Sequence, residues 1–262
     1  MPVRGKESYS IQSVDNALDV LEALCEEGDE VRISHLSEKL GMNKTSVFRL
    51  LATFENRGYV EREKGSGKYR LGLSAYEMGQ KFLSRMNLLR KAKPVMERLV
   101  RQCNEAVYLA VPRESYILLL DMVDTSAQVK IVSLVGNRYP IHDTAAGKVI
   151  LAHSPPGQDI VSGASAKKAL KPEPLCAEEL HHIHQTGMST DTDRLGEGII
   201  SVAVPLFRTG GEVAGCLCCV GPDFRMTEDR INGEIFPQLK EAGDIISSKL
   251  GYLGRYLSKE QD

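Results

Sequence analysis

Long apolar runs are missing from this 262-residue chain. None approaches the roughly 18–20 residues that a membrane-spanning helix needs. Met1 to Ser10 is polar, so no secretory leader is read there. The six cysteines do not make a CxxC…CxxC pair, and a reduced cytoplasmic protein is expected. Also absent are a GxSxG elbow, an HExxH helix, a Walker loop and a dinucleotide glycine fingerprint. No enzyme, cofactor or metal is therefore expected from motifs. No repeat or low-complexity tract is seen. An excess of positive charge is missing too: 33 Lys and Arg against 35 Asp and Glu leave a net charge of −2. That excludes a generic nucleic-acid coat, but not a local basic surface.

What is present is segregated charge. Asp15, Asp19, Glu22, Glu26, Glu27, Asp29 and Glu30 make one acidic stretch. In the following segment Lys44, Arg49, Arg57, Arg62, Lys64, Lys68 and Arg70 outnumber Glu55, Glu61 and Glu63. The same segment reads as two short helices, a tight turn and a hairpin. Ser34 is the expected cap of the first helix, and Gly41 ends it in the left-handed conformation. Asn43 is suited to cap the second. There Val47, Leu50, Leu51 and Phe54 follow the i, i+3, i+4, i+7 stripe of a buried face. Lys44, Thr45, Ser46 and Arg49 lie off it, as cations and small hydroxyls must to reach phosphates and base edges. Gly58 stops the helix. Tyr59–Arg62 and Lys68–Leu71 form strands about Gly65-Ser66-Gly67. Lys64, Lys68 and Arg70 on that wing are placed to meet backbone phosphates. An earlier helix, with Val14, Ala17, Leu18, Leu21, Leu24 and Cys25 inward, is expected to cover this pair.

The remainder reads as a second, mixed domain of antiparallel strands and helices. Helices are expected at 73–83 and 87–103, with Pro94 marking a break or kink. Strands follow at Ala106–Val111, Tyr116–Met122 and Val129–Val132, a helix at Ala145–Ala152, and a polar helix at Ala177–Gly187. A strand pair spans Gly198–Phe207 and Glu212–Val220. A long last helix is capped by Thr227 and kinked at Pro237. Ser154–Pro174, rich in Pro, Gly, Ser and Lys, is the least ordered stretch.

Three constellations could carry chemistry there. The N–H groups of Ala145 and Ala146, at a helix start, could hold a carboxylate; alternatively Asp143 or Thr144 simply caps its own helix. His181, His182 and His184 read better as a solvated helix face than as metal ligands. Cys216 and Cys218 face one side of a strand and Cys219 the other, and read as small buried hydrophobes. Two rival functions remain: an enzyme with a regulatory winged helix, and a thiol or metal sensor built on these cysteines.

The order of these pieces resembles the IclR family of bacterial transcriptional regulators over roughly residues 9–252. The runs that carry it are Ser13–Leu21, Lys44–Leu51, Gly58-Tyr59-Val60, Lys68–Gly72, Val135-Gly136, Pro140-Ile141-His142, Ala146-Gly147-Lys148 and Gly221-Pro222. The resemblance implies an α+β chain: a winged helix-turn-helix at 9–73, a linker helix at 74–90, and a GAF-like antiparallel-sheet effector domain at 91–254. It implies binding to double-stranded operator DNA, a small organic effector, and homodimers that can pair into dimers of dimers. Family effector positions fall on Ile131, Tyr139, Ala145, Ala146, Asp191, Ile199, Ser201, Cys218 and Val220. The chain departs from the usual pattern at Asn16 in place of arginine, Ser201 in place of cysteine, and Cys218 and Val220 in place of serines. Arg194 also interrupts a usually acidic run.

Overall fold

A computed structural model describes residues 10–28, 30–155 and 176–254. Apart from Ser154 and Pro155, the stretch expected to be least ordered lies outside the described residues. The chain divides into two compact units, one ending at Arg85 and the other starting at Met86.

In the first unit α1 (Gln12–Glu27), α2 (Ile33–Leu40) and α3 (Lys44–Asn56) precede the hairpin β1 (Val60–Arg62) and β2 (Tyr69–Leu71), and α4 (Leu73–Arg85) closes the unit. Val20, Ala23, Leu24, Val31, Leu36, Val47, Leu51, Val60 and Tyr69 form its core. Gly41 caps α2 in the left-handed conformation, and Asn43 accepts the Ser46 N–H at 2.8 Å to start α3. Two expectations are corrected. Ser34 does not cap α2. Val31 pairs with Tyr69 in a β-bridge beside the wing, and the Arg32 carbonyl takes the first turn's N–H groups, so the helix begins two residues earlier than a Ser34 cap implies. The inward face of α1 is also rotated. Its last turns bury Val20, Ala23 and Leu24, whereas Val14, Leu18 and Cys25 are exposed.

In the second unit α5 (Asn87–Cys103) leads into β3 (Ala106–Arg113) and β4 (Tyr116–Val123), then β5 (Arg138–Pro140), α6 (Ala145–Ala152), α7 (Ala177–Thr186), β6 (Ser189–Thr192), β7 (Ile199–Phe207) and β8 (Val213–Pro222). A helical turn α8 (Glu228–Arg230), a π turn at Ile231–Ile235 and α9 (Phe236–Lys249) follow. The sheet runs β5-β4-β3-β8-β7-β6, with every pair antiparallel. Side chains alternate between its faces. Val107, Leu109, Leu217 and Cys219 pack with α5 and α9 in one core. Ala106, Tyr108, Ala110, Cys216, Cys218 and Val220 pack with α6 in the other.

Three further expectations are corrected. The strand expected at Val129–Val132 is loop, and Val132 is 83% exposed. The open edge of β4 is taken instead by β5, through Ile117↔Tyr139 and its neighbours. The helix α5 runs unbroken through Pro94, because Ala92, Val95, Met96, Leu99 and Val100 bury one continuous stripe across it; the break falls at Met86, in extended conformation. The last helix is not a single α-helix. Thr227 caps only a short turn, and the chain widens into the π turn just ahead of Pro237. Pro237 then sits in the first turn of α9, where a missing N–H costs least.

Candidate nucleic-acid interface and effector site

On α3 the stripe Val47 and Leu51 is buried, and Leu50 and Phe54 pack against it. Lys44, Thr45 and Arg49 are exposed, while Ser46 is half-buried over the Asn43 cap. Among the described residues neither Lys44 nor Arg49 has an ion-pair partner, so both cations are available to an external anion. The wing differs. The Lys68 Nζ lies 3.7 Å from a Glu30 oxygen, and Arg70 donates to Glu61 Oε2 at 3.0 and 3.3 Å. Phosphate contact by either wing cation therefore requires a change of partner. Phe48, which the buried-stripe reading passed over, is exposed on the same helix; its position off the i, i+3, i+4 pattern was the signal available.

All nine positions expected to meet an effector gather on one side of the six-stranded sheet. Strand register makes a transverse row of Asp191, Ser201, Val220 and Ala106 across β6, β7, β8 and β3. Cys218 pairs with Ala203 and Tyr108 in the next row on that face. Ala145, Ala146 and Ile199 belong to the same buried cluster, and Ile131 and Tyr139 pack against it. Tyr108 was not foreseen, although its alternation with Ala106 and Ala110 on β3 marks it as facing this side. Its hydroxyl accepts the Leu134 N–H at 3.3 Å and holds the loop over the site.

At the start of α6 the capping alternative is partly realised: Thr144 Oγ1 accepts the Gly147 N–H at 3.1 Å. The Ala145 N–H goes elsewhere, to Asp191 Oδ2 at 2.5 Å, which also accepts from Ser201 Oγ at 2.8 Å. A carboxylate thus does sit at this helix start, supplied by the chain itself. Asp191 is only 7% exposed, and its Oδ1 has no hydrogen-bond partner among the described residues. Burial pushes its carboxyl above the usual range, opposed by the Ala145 N–H, the Ser201 hydroxyl, Lys148 and Arg194. Gly147 makes the geometry possible: a Cβ there would lie 1.8 Å from the Ile141 carbonyl oxygen.

The cysteines divide as expected between the two faces. Cys216 Sγ and Cys218 Sγ are 3.6 Å apart. That contact, together with burial, pushes the Cys218 thiol well up, which disfavours the reactive thiolate. The His184 Nδ1 and the Ala152 carbonyl oxygen are 2.9 Å apart, and His181 Nε2 lies 2.8 Å from Gln185 Nε2. Among the described residues no group of three His, Cys, Asp or Glu is poised to hold a metal.

Two family models match the chain: "Bacterial transcriptional regulator IclR C-terminal" over residues 80–248 and "IclR helix-turn-helix domain" over residues 13–64. The chain is similar to the HTH-type transcriptional regulator KdgR of Escherichia coli (strain K12), 32% identical over 253 residues that cover 94% of this chain and 95% of that one. Among solved structures it is similar to Thermotoga maritima IclR, 25% identical with a TM-score of 0.70, covering 93% and 100% of the two chains. An IclR homolog of Microbacterium hydrocarbonoxydans, complexed with 4-hydroxybenzoate, shares the fold at 24% identity and a TM-score of 0.71, covering 91% and 98%.

Proposed function

The chain belongs to the IclR family of bacterial transcriptional regulators, and on that premise we propose how its residues divide the work. It is a DNA-binding regulator rather than an enzyme, as its relatives are. Residues 9–73 read the operator, 74–90 link, and 91–254 take the effector. The observation that carries the DNA reading is the solvent-facing set Lys44, Thr45 and Arg49, whose cations have no ion-pair partner among the described residues, on a helix whose opposite face is core. Thr45, Ser46 and Arg49 read or position bases, while Lys44, Lys68 and Arg70 contact phosphates. The work is done in the cytoplasm.

The effector is a small organic acid, carboxylic or aromatic. Its oxyanion addresses the amides of Ala145 and Ala146 beside Ser201, and it takes the Ala145 N–H by displacing the Asp191 carboxyl that holds it. Ile131, Tyr139, Ile199, Cys218 and Val220 supply apolar walls. The support is convergence: nine positions from four strands, a loop and a helix start lie around one buried cluster. The chain works as a homodimer, which can pair further. The bare apolar side chains Ile11, Val14 and Leu18 before and on α1, and Leu73, Tyr76 and Phe82 on α4, are the surfaces a second copy would cover.

The test is replacement of Arg49 by Ala, measured on an operator recovered by selection from random duplexes. A bidentate base contact is worth about 1–3 kcal/mol. Operator affinity should fall by that amount while random DNA is bound as before; equal loss on both would make Arg49 a phosphate contact.

A further inference from the structure

We propose that Phe48 is a base-reading residue that recognises the C5-methyl group of thymine. The proposal rests on the reading of α3 as the recognition helix. Of the large apolar side chains on α3, Val47 and Leu51 are fully buried, and Leu50 and Phe54 pack on the core. Phe48 alone stands away from that core, at 47% exposure. Its helical neighbours are Lys44 and Thr45 one turn earlier and Ala52 and the buried Leu51 one turn later, while Arg49, next in sequence, points to an adjacent part of the exposed face. On its stripe the ring is thus bordered by a cation, a hydroxyl and a methyl, and the first acidic residue there is Glu55, two turns on. A recognition helix enters the major groove by its N-terminal residues, so Glu55 falls where the helix leaves the phosphates.

The chemistry narrows the occupant. In the major groove the base edges offer hydrogen-bond donors and acceptors, and one apolar group, the thymine methyl. A phenylalanine among groove-facing cations has that group as its match. The bare stripe of α1 carries the opposite border, with Asp15, Asp19 and Glu22 beside Val14 and Leu18, so charge separates a surface suited to DNA from one that is not.

The experiment uses the full chain and the duplex it selects from a random library. Each thymine of that duplex is replaced in turn by deoxyuridine, which lacks only the methyl. At one or two positions the parent chain should lose about fourfold in affinity, the worth of one buried methyl-sized group. Phe48→Ala should bind the thymine and deoxyuridine duplexes alike at those positions, with an unchanged salt slope. Phe48→Gln should move the preference there from thymine to adenine, the partner of a glutamine amide. Deoxyuridine sensitivity that persists undiminished in both variants overturns the proposal. So does a drop in sedimentation mass on Phe48→Ala, which would give the ring to a second copy of the chain. A library in which the parent chain enriches no sequence overturns the recognition-helix reading itself, and Phe48 falls with it.

Discussion

Single residues decide how tightly the effector region is held. Glu105, 1% exposed, accepts from Nε and Nη2 of Arg225, each at 2.8 Å, and from Arg230 at 2.8 Å. Arg225 also donates to the Val129 carbonyl, so one buried carboxylate ties the start of β3, the end of β8 and the loop beyond β4. None of this was legible in the sequence, because the partners lie 120 and 125 positions apart and no local pattern links them. The Asn43 cap was legible, since the residue that makes it precedes its helix directly. Asp191 carries a pH consequence. Its folded-state carboxyl is raised, chiefly by burial, so the folded chain holds that proton at higher pH than the unfolded chain does. The stability this contributes is complete below the ordinary carboxylate range and is lost as pH rises through the raised value. Asp191→Asn keeps an acceptor for the Ala145 N–H without a titrating charge. Its melting temperature should fall less than the parent's as pH rises from the ordinary carboxylate range through the raised value. Parallel curves would separate this carboxyl from folding.

At the scale of elements, the wing is held in reserve by its own carboxylates. Glu61 and Arg70 face each other across the β1–β2 pair and share an ion pair. Opening an exposed pair of this kind costs about 1 kcal/mol or less. Glu61→Gln should free Arg70, tighten binding to any duplex, and steepen the salt dependence by about one ion. Titrations over a range of salt would read both, and an unaltered slope would remove Arg70 from the phosphate contacts. Sequence pattern located the long elements well: α3, α5, β3, β4, β7 and β8 all lie where periodicity put them. It missed β5 and β6, three and four residues long, because such strands are too short to show an alternation. It also placed a strand at Val129–Val132, where β-branched residues are plentiful but the edge of β4 is already taken by β5. The face of α1 was misjudged for a related reason. Two apolar stripes run along it, and only packing shows which one turns inward.

For the whole molecule, that second stripe points to assembly. Leu18 is half exposed on α1 and takes no part in the core. Leu18→Glu should convert a dimer to monomers in sedimentation equilibrium. It should also weaken binding to a two-fold operator by at least about tenfold, or ~1.4 kcal/mol, while half-site binding survives. A variant that stays dimeric would move the interface elsewhere. That the nine residues proposed to meet the effector lie together was legible only through the family resemblance, because they come from segments scattered between residues 131 and 220; the closing of Ala145 by Asp191 was not foreseen at all. Among the described residues each unit seals its own core: the buried residues around Leu36 and Leu51 run from Val20 to Tyr69, and those of the two cores flanking the large sheet start at Ala92 and Ala106. A single genetic crossover near Arg85 and Met86 would therefore hand an existing promoter address to a different chemical stimulus, with neither half obliged to relearn how to fold.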